Sequence, residues 1–306
     1  MILEMAVPLL AATIQSGTPI LLATLGEMIT EKSGILNLGV EGMMLVGAFG
    51  GFFVSYQTGS PWLGLLGAGI FAALFSGIHA LICVTFLGNQ VVSGLALTIL
   101  GTGLANFLGN PYIGQEAPGF SKFSLPFLAD IPFLGDILFQ QDALVYLSYL
   151  APVLVFIFLS RTKWGLRLRA VGEHPAAAKS AGIGVLRYRW LGVMLGGFLV
   201  GLGGAYLSLA YTHLWTTNLT GGRGWIAVAL VIFAFWRPFR AMAGAYLFGG
   251  IMAFQLRVQA LGTDIPSSFL LMLPYVLTIV VLVMSFRKGL MHGAPGGLGV
   301  NFEPEE

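Results

Sequence analysis

Charge and cysteine are what this sequence has least of. Asp, Glu, Lys and Arg make up 9% of the 306 residues, against about 25% in soluble domains. A chain so poor in charge cannot solvate the surface of a water-facing globule. The one cysteine, Cys83, lies inside an apolar run, which excludes a disulfide framework, a CxxC redox pair and a cysteine zinc site. No GxxxxGK[ST] occurs, so the chain has no loop of its own to cradle ATP phosphates. HExxH, GxSG ahead of a membrane histidine, and paired aspartates within an apolar run are also missing. Intramembrane proteolysis therefore lacks its nucleophile or metal ligands, and no catalytic residue or metal ligand is assigned. The net charge of +2 gives no hint of a nucleic-acid partner.

Apolar residues and glycine fill the space instead, with 57% hydrophobic residues and 43 glycines, a composition suited to helices packed closely in lipid. Apolar runs fall at about 5–29, 35–57, 62–87, 90–108, 143–160, 187–211, 223–236, 239–262 and 269–286, against the roughly 20 residues that cross the hydrocarbon. Polar-in alternation is absent, so the runs are read as helices rather than barrel strands. The expected fold class is an all-α polytopic membrane protein of about nine transmembrane helices (8–10), forming one membrane domain over 1–306. The run 223–236 reaches only about 21 Å and suits a half-helix or re-entrant segment as well as a crossing.

Basic residues set the orientation. The loop 161–189 holds Arg161, Lys163, Arg167, Arg169, Lys179, Arg187 and Arg189 against Glu173 alone, so it is placed in the cytoplasm. Counting spans outward puts Lys32, Arg237, Arg240, Arg287 and Lys288 on the same side. With them 12 of the 15 basic residues agree. The N-terminus and the segment 109–142 are then outside and the C-terminus is inside. The first span has no Lys or Arg before it, unlike a cleavable signal peptide, and is expected to stay in the mature protein. The loop 109–142, rich in Pro, Gly and Phe, is read either as a short amphipathic cap or as a plain linker. A repeated pattern relates LGVEGMMLVGAFGGFFVS (38–55) to LGVMLGGFLVGLGGAYLS (191–208), an echo that a glycine-rich alphabet also produces by chance.

Two segments could carry function. Residues 26–48 bring Glu27, Glu31, Lys32, Asn37 and Glu41 to the junction of the first two spans. A lipid-exposed carboxylate at Glu41 would cost about 2–3 kcal/mol, so it faces protein or water. Asn37 and Glu41, four residues apart, are expected on one helix face, either lining a path or bonded structurally to a neighbouring helix. Gln90, Ser93 and Asn106 on the fourth run are path candidates or interhelical hydrogen-bonding groups, while His79 in the third run is expected to be a packed core residue. The second segment, 161–189, holds a short helix begun by Pro175, built on Ala176, Ala177, Ala178 and Ala181 and ended by Gly182. Composition alone favours a loop that fixes topology over a docking surface.

Three motifs in order, EKSGILNLGVEGMMLVGA (31–48), VGEHPAAAKSAGIGV (171–185) and GGRGWIAVALVIFAFWRPFRAMAGAYLFGG (221–250), resemble the permease subunits of ATP-binding-cassette (ABC) importers of the branched-chain amino acid and simple-sugar class. The nucleoside permeases are the branch most alike, and the likeness covers roughly 15–290. The resemblance implies an importer fold of the ribose/vitamin B12 type in a bacterial or archaeal plasma membrane. The chain would then be a non-enzymatic subunit forming half of a path for nucleosides or simple sugars. It implies no cofactor in this chain, with ATP hydrolysed by a separate cytoplasmic ATPase. A second permease subunit, an extracytoplasmic solute-binding protein and membrane lipid are the other implied partners. It also makes 173–182 the helix that couples to the ATPase, with Glu173, Pro175, Ala177, Ala178, Ala181 and Gly182 as its residues, reversing the preference from composition. Two features depart from the pattern. An N-terminal span of the ribose-type relatives has no counterpart here, and Arg237-Pro238-Phe239-Arg240 is more basic than expected. The alternative reading is an ion-coupled secondary transporter, which would want buried carboxylates and broken helices near mid-depth.

Overall fold

The computed structural model of the chain describes residues 2–263, 265–287 and 293–303. Each of the nine apolar runs forms a helix: α1 (Ile2–Lys32), α2 (Val40–Thr58), α3 (Pro61–Ala80), α4 (Gln90–Gly109), α6 (Ala143–Arg161), α9 (Val185–Tyr206), α10 (Arg223–Phe233), α11 (Pro238–Ala260) and α12 (Ser267–Arg287). Between them lie the short helices α5 (Leu134–Leu138), α7 (Lys163–Glu173) and α8 (Pro175–Ser180) and two three-residue strands, β1 (Lys122–Ser124) and β2 (Gln140–Asp142). Wide π turns extend α3 through Thr85 and α9 through Tyr211.

Six of the described helical stretches are long and apolar enough to cross a membrane: Ala6–Lys32, Pro61–Thr85, Gln90–Tyr112, Ala143–Arg161, Val185–Tyr211 and Pro238–Ala260. Helix α10 and the stretch Phe269–Val280 of α12 are apolar but shorter. Helix α2 is not among the six. Glu41, Gln57 and four glycines lower its hydropathy, and its neighbours α3, α4 and α9 cover it instead.

Helix α9 is the hub, packed on α1, α2 and α3. Its glycines make this possible. A Cβ at Gly204 would strike the Met44 carbonyl oxygen and come within 2.7 Å of the Ala48 nitrogen, and one at Gly47 would lie 2.5 Å from Gly201 Cα. The two segments of the sequence echo are thus each other's packing partners, and both carry small residues where their backbones meet.

The segment 109–142 is ordered on one end of the bundle. Its strands pair antiparallel with Lys122 opposite Asp142, and Gly114 N, Ala117 N and Phe120 N donate to the carbonyls of Trp215, His213 and Leu209 at 2.9, 3.0 and 2.7 Å. The opposite end gathers Lys32, α7, α8, the turn 235–240 and the stretch 293–303. Arg287 and Lys288 bear on the orientation count, but the Arg287 side chain and all of Lys288 lie outside the described residues, as do 289–292 and 304–306 of the expected cytoplasmic tail.

Candidate translocation path and coupling surface

Helix α1 ends in a turn at Gly34, and the chain runs non-helically to Gly39, so α2 starts partway into the bundle. Gly42, in the first turn of α2, abuts Leu97 and Thr98 halfway along α4. Two carboxylates emerge from this arrangement with different partners. Asn37 lies before α2, not on it: its Oδ1 accepts from Gly39 N (2.8 Å), while its backbone N and Nδ2 donate to the fully buried Glu27 (both 3.2 Å). The expected shared helix face with Glu41 therefore does not form, because a short Asn side chain bonding its own backbone favours a turn over a helix.

Glu41 faces the other way. Its Oε1 accepts from Thr220 Oγ1 (2.6 Å) and Gly222 N (2.8 Å), and its Oε2 from Gly224 N (2.6 Å). These donors form the N-terminus of α10, an 11-residue helix of about 16 Å that covers only half the hydrocarbon. Glu41 also sits in the first turn of α2. One carboxylate thus lies at two helix N-termini, where backbone dipoles and N–H groups favour negative charge. Arg223 adds a cation at the same place: Nη1 donates to Thr220 O (3.0 Å), the guanidinium lies 6.0 Å from the Tyr211 ring centroid, and Nε is buried without a hydrogen-bond partner among the described residues. A short helix whose N-terminus meets a cluster of Glu, Thr and Arg inside the bundle is the kind of arrangement by which transporters present polar groups to a path.

The remaining path candidates separate. Asn106 joins this region, its amide exchanging bonds with Asn218 Oδ1 (2.9 Å) and Asn218 N (3.1 Å) in the loop before α10. Ser93 and Gln90 lie nearer the α7–α8 end. Ser93 Oγ is 2.9 Å from His79 Nδ1, and His79 Nε2 is 3.0 Å from Leu36 O, which makes His79 the packed residue expected. Gln90 accepts from Leu36 N (2.7 Å) and donates to Asn301 Oδ1 (3.0 Å). Sequence reasoning did not single out Thr220, Gly222, Gly224 or Trp236. The run TGGRG directly before a short apolar helix was the available signal for the first three, while the partner of Trp236 Nε1, Glu31 at 2.5 Å, is 205 residues away.

At the other end, α8 is capped as its sequence implies. Ile183 N donates to Ala178 O and Gly182 N to Lys179 O, both 2.9 Å, and Gly182 has φ +78°. This is a Schellman termination, which requires the left-handed region at Gly182. Glu173, Ala177, Ala181 and Gly182 are exposed and Pro175 is half-buried, whereas Ala178 turns inward and is 4% exposed. The outward relief of α8 is small and uniform, but Ala178 belongs to its underside. The stretch 293–301 straps this region to the rest: Gly297 N donates to Gly172 O (2.8 Å), Gly296 N to Glu173 Oε2 (3.0 Å) and Gly299 N to Gly34 O (3.2 Å).

A family model described as "Branched-chain amino acid transport system / permease component" matches residues 9–282. A candidate glucose ABC transporter permease protein of Haloferax volcanii is 48% identical over 264 residues, covering 85% of this chain and 80% of its own. A nucleoside ABC transporter permease protein of Lactococcus lactis subsp. cremoris is 35% identical over 299 residues, with 93% of both chains covered. The fold is similar to that of a candidate metal-chelate-type ABC transporter solved in an inward-facing conformation, with a TM-score of 0.50 and 17% identity over 90% of this chain and 85% of the other. A bundle with a short helix capped by a part-buried carboxylate and a short exposed helix at one end, matched along nine-tenths of its length, is an ABC transporter permease, and the chain belongs to the branched-chain amino acid transport system permease family.

Proposed function

We propose that this chain forms half of the path by which an ABC importer takes up nucleosides or simple sugars. The relatives named for nucleosides and glucose support that substrate class. The sparse polar groups at mid-depth suit small, neutral, hydroxyl-rich solutes better than ions, which would need compensating charge. A second permease subunit completes the path, an extracytoplasmic binding protein delivers the solute, and a cytoplasmic ATPase hydrolyses the ATP. In this reading the protein spans the plasma membrane with its N-terminus outside and α8 in the cytoplasm, as the distribution of basic residues favours.

The observation that carries the mechanism is the connection between α8 and Glu41. Helices α7 and α8 are tied through Gly172 and Glu173 to the strap 296–301, and the strap is tied through Gly34 and Gln90 to the loop that leads into α2 and Glu41. When the ATPases close on ATP, movement of α8 is passed along these bonds to the start of α2. The pins from Glu41 onto α10 then break or re-form, opening the path to one side at a time. Glu27 and Glu31 do not carry protons in this scheme. They hold Asn37 and Trp236 in place.

The test is uptake of labelled guanosine and glucose into proteoliposomes holding the complete assembly. We expect accumulation only with ATP and an active ATPase. Uptake driven by a proton or sodium gradient without the ATPase would contradict this and select the ion-coupled reading.

A further inference from the structure

Where α1, α6, α7 and the turn 235–240 meet, at the α8 end of the bundle, lies a cavity of about 690 Å³. Lys32, Arg169, Arg237 and Arg240 line it against the single carboxylate of Glu173, leaving its walls strongly positive. None of the four cations is ion-paired among the described residues. They are held in place by other means. Lys32 Nζ donates to Gly293 O (2.9 Å) and sits 5.8 Å from the Trp236 ring centroid, and the Arg240 guanidinium lies 5.3 Å over Phe235. Arg169 Nε is buried with no hydrogen-bond partner among the described residues. A buried donor left without an acceptor costs about 1–3 kcal/mol, and among the described lining residues Glu173 alone offsets the four cations.

The rim says which acceptor. Phe156 and Phe239, 38% and 51% exposed with ring centroids 5.6 Å apart, frame the opening. The outer faces of α6 and α11 continue it with exposed Leu150, Leu154, Leu247 and Phe254. A soluble anion would gain nothing from these walls, whereas a phospholipid has a phosphate for the cations and acyl chains for the apolar seam. Basic pockets between transmembrane helices at the cytoplasmic surface are suited to anionic headgroups. We propose that this cavity binds the headgroup phosphate of an anionic phospholipid, with the acyl chains lying along α6 and α11. The basic Arg237-Pro238-Phe239-Arg240 turn, which the family resemblance left without a role, then serves the membrane. The inference rests on membrane insertion and not on the transport reading, so its test reads lipid rather than uptake.

Native mass spectrometry of the purified assembly, titrated with phosphatidylglycerol or phosphatidylcholine, measures the preference for the anionic lipid. Arg237→Gln combined with Arg240→Gln should lower that preference roughly thirtyfold, since each cation near the surface contributes a factor of about five. Glu173→Gln should raise it by about fivefold, a gain that misfolding cannot imitate. An unchanged preference in both variants would overturn the proposal. Displacement of the lipid by excess inorganic phosphate, but not by chloride of equal ionic strength, would mean that the site takes a soluble anion. Loss of the ATPase from the double variant with its lipid preference intact would assign these cations to the protein interface instead.

Discussion

Glu41 and Arg240 are both charged residues in a chain where few exist, yet their surroundings differ in kind. At mid-depth Glu41 has three donors within 2.8 Å, two of them backbone N–H groups at a helix N-terminus. At the α8 end Arg240 is exposed and its guanidinium lies over the face of Phe235. The part-buried Glu41 has its bonding capacity taken up inside the bundle, whereas the exposed Arg240 keeps donors that face outward. The difference separates two kinds of residue. Glu41 is fixed by internal bonds and acts through geometry, while the Arg240 guanidinium keeps bonding capacity that an outside partner can use.

The most disruptive change should be one that attacks the packing behind the mid-depth site. Gly204→Leu would drive a side chain into the Met44 carbonyl and the Ala48 nitrogen. Overpacking of this kind costs about 3 kcal/mol, and we expect the variant to be lost from the membrane fraction or to unfold well below the wild type in detergent. A change at the α8 end that is equally bulky but points outward should spare the fold. Ala177→Trp is expected to insert and unfold at the wild-type temperature, yet to bind its ATPase about five- to a hundredfold more weakly. Ala178→Trp, on the underside of α8, should instead lower the unfolding temperature, and equal thermal stability of the two would contradict the facing described here. Gly182→Ala should have the smallest effect, about 1 kcal/mol of strain in the left-handed region. It would be read as faster amide exchange confined to α8.

Much of this was legible in the sequence for physical reasons. Long apolar runs in lipid form helices, so all nine runs appear as helices, and the short one, 223–236, gives the shortest of them, 11 residues. The α8 termination followed from Pro175 and Gly182, whose backbone preferences are local. What was not legible depended on contacts distant in sequence. Glu41 was found because a carboxylate in an apolar run is costly, but its partners lie 179 to 183 residues away. Asn37 was assigned to the wrong face because four-residue spacing says nothing about where the helix begins. The strap 293–301 has neither apolar periodicity nor charge, and its role comes only from the backbone groups it meets.

The distinction between the two regions is tested most directly by purifying Glu41→Gln and Ala177→Trp assemblies and measuring, in each, the bound ATPase and ATP-driven uptake. In Glu41→Gln an amide NH2 replaces one carboxylate oxygen and faces a backbone N–H, which removes about 1.5–3 kcal/mol of charge-assisted bonding. The account predicts that Glu41→Gln keeps its ATPase at the wild-type ratio and loses uptake, while Ala177→Trp loses both. Full uptake in Glu41→Gln, or an Ala177→Trp assembly that holds its ATPase and transports normally, would contradict it.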